Sequence, residues 1–301
     1  MGVWGTGLYA GDFAMDLRGT IGGVLRLPLA DADLLTAICS VEPEAANDSD
    51  NSDYTDFWLV VADQFAKRGI DLPEARAKAI AIIDSDADIA AKKALGLDEK
   101  SAAVRRKMLG QLRDRILQPP IQAKPRKTLS KPQPLVCETG DIYAYATSQG
   151  SPSNPYFENP EAVDFLNWKM DGWGAMVVVE CGHFLGYLAW YRALTPASGW
   201  NDVPSLEQVL QKQRWFINPP GTLRPLHAKR MRMTKVGQIS IDPAKLDRAF
   251  PARTSPRSAA ISDITIANRM TVVDLSAFDE RRIAAGRPLE PRIESLRDIM
   301  A

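Results

Sequence analysis

Residues 172–194 read GWGAMVVVECGHFLGYLAWYRAL. Ala175 to Val179 is one apolar segment and Phe184 to Tyr191 a second, parted by Cys181-Gly182-His183. Two β-branched and aromatic runs around a short glycine-containing break predict a β-hairpin. The flanking sequence reads as a sheet completed around that hairpin, with a separate helical domain ahead of it.

The chain has 301 residues, which favours two domains over one. No apolar run approaches the roughly 20 residues that span a bilayer. MGVWGTGLYAGDF lacks the basic start and apolar core of a signal peptide, so the expectation is a cytoplasmic protein without a membrane partner. Three cysteines, Cys39, Cys137 and Cys181, are widely spaced and odd in number, which is no disulfide framework.

The zero net charge hides an asymmetry. Residues 1–100 carry 18 acidic and 9 basic side chains, a net −9, whereas residues 101–135 carry 1 and 9, a net +8. So acidic a first domain argues against nucleic-acid binding by it. The basic stretch could dock on the acidic domain or on an acidic partner. A solvated helix end and linker is the reading preferred here.

Gly2, Gly5, Gly7 and Gly11, with Trp4, Leu8 and Tyr9 between them, predict a compact turn packed on the first helix. Asp12 stands at an N-cap position, followed by Phe13, Leu17, Ile21 and Val24 at helical spacing. Further helices are expected over Asp31–Val41, Tyr54–Arg68 (stopped by Gly69), Pro73–Asp84, a short one capped by Ser85 and ending at Leu95, and Ser101–Leu117. The proline- and lysine-rich segment 118–134 reads as an extended linker.

Beyond it, Leu135–Thr147 reads as a strand broken at Thr139-Gly140-Asp141, NPYFENP (154–160) as a loop, and Glu161–Met170 as a short helix. Pro204–Trp215 reads as a helix, Met231–Ile241 as strand, and Asp242 or Pro243 starts a helix to Phe250. Ile264–Leu275 is expected to add a strand, and Ser276 onward a surface helix. The fold class is therefore α+β: a helical domain over 1–117, a linker over 118–134, and a mainly antiparallel β-rich domain over 135–301.

Few constellations support chemistry. Asp48, Asp50 and Ser52 mimic an EF-hand start, but Asp53 and Leu59 replace its glycine and glutamate; the same test fails at Asp84, Asp86 and Asp88. His183 and His227 are the two histidines, and no paired C-x-x-C exists for zinc. Gly5-Thr6-Gly7 is no phosphate cradle without a leading strand. Cys181 and His183, two apart, form the one candidate nucleophile–base pair, without an orienting third residue. Trp168, Trp173, Tyr187, Trp190 and Tyr191 sit among apolar residues, which favours core packing over base stacking. Arg230, Arg232 and Lys235 alternate partly with Met231 and Met233, as on a sheet face.

Two resemblances add to this. Trp4, Gly5, Gly7, Asp12 and Asp16 resemble the start of a group of uncharacterised bacterial proteins. Gly140-Asp141-Ile142-Tyr143, followed by Gly182, Phe184, Leu185, Gly186 and Tyr187, resembles the immunity protein 26 family of bacterial toxin–immunity systems, over roughly residues 136–250. That resemblance implies a small β-rich domain that binds and neutralises a toxin; it supplies no catalytic residue to transfer, and no cofactor is expected. The expectation is a non-catalytic partner-binding protein, with Trp173, Tyr187, Trp190, Arg230 and Arg232 as candidate contact residues. An enzyme using Cys181 and His183, or a nucleic-acid module using the basic stretch 105–131, are the alternatives.

Overall fold

A computed structural model describes residues 5–119, 125–253, 256 and 292–301. The chain is α+β and divides into two compact units, residues 1–131 and 132–301, so the division falls inside the proline-rich segment.

The first unit is helical: α1 (Asp12–Val24), α2 (Asp31–Val41), α3 (Pro43–Asn47), α4 (Tyr54–Ala66), α5 (Pro73–Asp84), α6 (Ala87–Ala94) and α7 (Glu99–Leu117). Every residue of α4 from Thr55 to Phe65 is buried. A helix apolar nearly all round must be enclosed, and α1, α3, α5, α6 and α7 all pack against it. Leu17, Ile21 and Val24 of α1 are buried as their spacing predicts. Three caps differ from expectation. Gly11 is the N-cap of α1 and Asp12 its first residue. Ser85 donates its hydroxyl back to Ala81 O, and Asp86, at φ +55°, precedes α6. Asp98, accepting from Ser101 N–H, starts α7. The short α3 goes unseen in the sequence.

The basic stretch is not merely solvated. Arg105 of α7 is 2% exposed and ion-pairs with Asp88 and Asp56, which also holds Lys92. Arg106 pairs with Asp86, Arg113 with Asp84 and Arg115 with Asp63. Arg126, in the expected linker, donates to the carbonyls of Leu25, Leu27 and Leu29 beyond α1. The surplus positive charge of residues 101–135 thus neutralises carboxylates and carbonyls of its own unit.

The second unit is built on an antiparallel sheet. Its strands are β1 (Asp141–Ser148), β2 (Ser151–Pro152), β3 (Gly172–Phe184), β4 (Leu188–Pro196), β5 (Gln213–Ile217), β6 (Thr234–Gln238) and β7 (Arg292–Ser295). They lie in the order β2-β1-β3-β4-β5-β7, with β6 also on β1. Helices α8 (Leu206–Gln211), α9 (Pro225–Arg230) and α10 (Pro243–Ala249) complete it. Ala175–Val179 is a continuous apolar run because both faces of β3 are covered. Val177 and Val179 meet Trp215, Leu246 and Phe250 on one face; Met176 and Val178 meet Tyr145, Tyr191 and Met231 on the other.

The expected hairpin is β3–β4, but its turn is not at Cys181-Gly182-His183. Those residues continue β3, paired with Tyr191, Trp190 and Ala189, after an irregularity between Val178 and Glu180. The chain reverses at Leu185 and Gly186, both at positive φ (48° and 75°), the geometry that matches strand twist. Gly140 also has positive φ, and a Cβ there would sit 2.0 Å from Ile239 O, so only glycine fits before β1.

Other expectations shift. Leu135–Glu138 is not strand, and β1 starts at Asp141. Glu161–Met170 forms two 3-10 turns, Pro160–Ala162 and Asp164–Leu166. Only Leu206–Gln211 of the expected helix 204–215 is helical; Trp215 and Phe216 enter β5, where Trp215 is fully buried. Arg230 ends α9 and Arg232 follows it at φ +55°, so neither lies on a sheet face. Residues 292–301 are strand and 3-10 turn, with Leu296 and Ile299 fully buried rather than surface-laid. The strand expected over 264–275, and residues 276–291, lie outside the described residues.

Candidate functional site: an aromatic surface on loop 154–166 and α9

The loop 154–166 is held in place by α9. Arg230 donates from one guanidinium nitrogen to Pro155 O and Tyr156 O, both at 3.1 Å. Asn154 folds the start of the loop: its Oδ1 accepts Tyr156 N–H (3.0 Å) and its carbonyl accepts Phe157 N–H. Arg232 holds the far side, reaching Glu161 (3.4 Å) and Met170 Sδ (3.0 Å). Its positive φ closes α9, with Met233 N–H bonding back to Ala228 O. That is a helix C-terminal motif for which glycine is the usual residue.

Side chains on this frame face water. Phe165 is 78% exposed, Leu226 52% and Tyr156 47%. Phe157 meets Phe165 edge-to-face at 6.2 Å, and Tyr156 meets His227 at 5.3 Å. His227 is buried beneath, and burial, with Arg224 and Arg230 adding, holds its pKa below the ordinary value. A neutral imidazole therefore supports the Tyr156 ring.

Of the five candidate contact residues, Arg230 and Arg232 come together here. The other three lie on the hairpin. Trp173 is half-buried in β3 and exchanges backbone hydrogen bonds with Trp200 (2.7 and 2.8 Å). Tyr187 follows the turn, its carbonyl accepting Gln133 N–H. Trp190 lines a recess of about 450 Å³ with Glu180, Arg192, Asp247, Phe250 and Arg253. Arg192 stands 5.9 Å from its ring, and Arg253 joins Glu180 to Asp247. That recess lies on the Phe250 face of the sheet, while the residue after Arg230, Met231, packs on the other.

The candidate nucleophile and base are engaged separately. Cys181 Sγ lies 3.6 Å from Thr139 Oγ1, and His183 Nε2 lies 2.7 Å from Gln133 O. Cys137 is buried, its thiol pushed up to about 12 by desolvation, with the Tyr143 hydroxyl as its hydrogen-bond partner. Asp141 of the Gly-Asp pair closes its own turn: one oxygen accepts Glu138 N–H (3.0 Å) and the other meets Lys235 Nζ (2.6 Å). The acidic loop 48–53 is tied by Asx turns at Asp48 and Asn51. Among the described residues, no group of three or more His, Cys, Asp and Glu side chains could hold a metal ion.

Phe165, Tyr156, Leu226 and His227 are missing from the sequence-based candidates. The available signal was an aromatic pair, Tyr156-Phe157, in a polar loop between two prolines, where no core position calls for rings. Compared with known proteins, the chain matches no family model, no curated protein and no solved structure. Among the described residues, no helix is long and apolar enough to cross a membrane.

Proposed function

We propose that this chain is a non-catalytic protein that binds a partner protein through its strand-rich unit. The partner fitting the resemblance of residues 136–250 is a bacterial toxin, neutralised in the cytoplasm. One observation carries the reading: Phe165, Tyr156 and Leu226 stand exposed on a loop and a helix that two arginines join. Isolated exposed apolar residues mean little, but several on one ordered frame are how protein interfaces present themselves. The frame matters because a loop already ordered costs little entropy on binding.

The test is co-expression of the full chain with the toxin encoded beside its gene. The expected result is cell survival and a stable complex. Phe165→Ala combined with Leu226→Ala should weaken that complex by at least about 30-fold, as for a hot-spot pair. Val203→Ala, at an exposed apolar residue that belongs neither to the loop nor to α9, should not. Absence of protection and of a complex overturns the proposal. So does turnover of a small substrate that Cys181→Ser abolishes.

A further inference from the structure

A second site lies in the helical unit. A cavity of about 300 Å³ opens where the end of α4, the start of α5 and the end of α7 converge. Its wall is apolar, formed by Ala62, Phe65, Ile70, Ala75 and Ile116, while Lys67 and Arg115 stand at its edge. That volume is at the small end of ligand pockets.

The charges at this edge do not balance. Lys67 (2.6 Å) and Arg115 both ion-pair with one carboxylate, Asp63, which is fully buried. Tyr9 spends its hydroxyl on that same carboxylate. Arg18 and Lys67 approach the Tyr9 ring to 5.3 and 5.4 Å, and Arg68 binds Gln64. Arg18 and Arg68 form no ion pair among the described residues. Two cations thus share this carboxylate, with Arg18 and Arg68 beside its neighbours Tyr9 and Gln64. The C-terminal dipoles of α4 and α7 offset about half a charge each. A positive surplus of about two remains, in a unit whose first 100 residues are net acidic. Lys67 and Arg115 keep 45% of their side chains exposed, so a further anion can reach them. On the opposite rim Arg76 is already matched by Asp71.

We propose that this cavity binds a small amphipathic carboxylate, its hydrocarbon part against Phe65, Ile70 and Ile116 and its carboxylate on Lys67 and Arg115. The apolar wall sets the tail, and the half-exposed cation pair, sharing one carboxylate, sets the head. This site is independent of the partner surface on loop 154–166.

Titration calorimetry of the full chain with octanoate, below its micelle concentration, and with 1-octanol as the uncharged control tests it. Octanoate should bind saturably with one site per chain, and octanol at least about tenfold more weakly. Lys67→Gln and Arg115→Gln should each weaken octanoate about tenfold and leave octanol unchanged, while Arg115→Lys retains most of the binding. Ala66→Phe, which keeps every cation and fills the cavity, should abolish both, with circular dichroism showing the helices intact. No saturable binding of octanoate, equal binding of octanol, or full octanoate binding by both Lys67→Gln and Ala66→Phe overturns the proposal.

Discussion

Arg105 and Asp88, seventeen positions apart, form a fully buried two-pronged ion pair: Nε and one terminal nitrogen of the guanidinium donate to the two carboxylate oxygens at 2.6 and 2.8 Å. Arg105 also reaches Asp56 and the carbonyl of Gly7. One side chain on α7 thereby ties α4, α6 and the glycine-rich N-terminal segment together.

Removing it strands the buried carboxylate of Asp88 and leaves Asp56 with Lys92 alone. Replacing one member of a buried ion pair typically costs about 3–5 kcal/mol, since the partner's charge stays desolvated. Arg105→Ala is therefore expected to lower the stability of the helical unit by that amount in urea unfolding followed by circular dichroism. Arg106→Ala, the next residue, removes only exposed pairs with Asp86 and Glu99 and should change stability far less. Equal effects from the two variants would mean that Arg105 is not the keystone of the helical packing.

The proline-rich segment is tied down at both ends within the respective units. Arg126 binds three carbonyls past α1, and Leu129 N–H adds Arg26 O. Gln133 binds Tyr187 O, Ala189 N–H and the ring of His183. Arg126→Ala should free residues 126–131, so trypsin should cut after Lys127 several-fold faster than in the wild type, read by mass spectrometry. Unchanged cleavage rates would show that Leu129 alone anchors the segment.

Local signals were legible in the sequence and long-range ones were not. Asp31–Val41 and Pro73–Asp84 emerge as helices to the residue because apolar spacing and a first-turn proline are local properties. The hairpin was legible as a pair of strands, yet its turn was misplaced. Gly182 resembles a turn residue, whereas the real turn puts Leu185 in a conformation that leucine rarely takes. Trp215 lies in a strand because the sheet buries it, overriding the helical reading of its neighbours. The pairing of α7 arginines with Asp84, Asp86 and Asp88 depends on folding that brings them together, which no spacing rule reports. The exposed Phe165 was missed for the opposite reason, since sequence reading assigns aromatic rings to cores.

The enzymatic alternative rests on Cys181; Cys137 is a different thiol, and its enclosure is testable in its own right. Its thiol is buried and pushed up to about 12, so at pH 8 very little thiolate forms. With Cys39 and Cys181 replaced by serine, a disulfide reagent should react with Cys137 on the order of 100-fold more slowly in the folded protein than in urea. Rapid labelling in the folded state would show that the Cys137 thiol is not enclosed beside Tyr143.

The partner surface should loosen in acid through His227. Burial, then Arg224 and Arg230, hold its folded-state pKa below the ordinary 6.5, and its Nδ1 is buried without a hydrogen-bond partner. The unfolded chain therefore takes up the proton more readily than the folded one. Stability from this group is fully present above about pH 6.5 and is lost progressively as the pH falls below it. His227→Phe keeps a ring beneath Tyr156 and removes the titration. Urea unfolding monitored by tryptophan fluorescence at pH 7.5 and 5.5 should show a larger acid loss for the wild type than for His227→Phe. The same acidification should weaken a partner that docks on Tyr156 and Phe165 in the wild type more than in the variant. Identical pH dependence in the two proteins would mean that His227 stays neutral, or is equally protonated, in both states and takes no part in holding the surface.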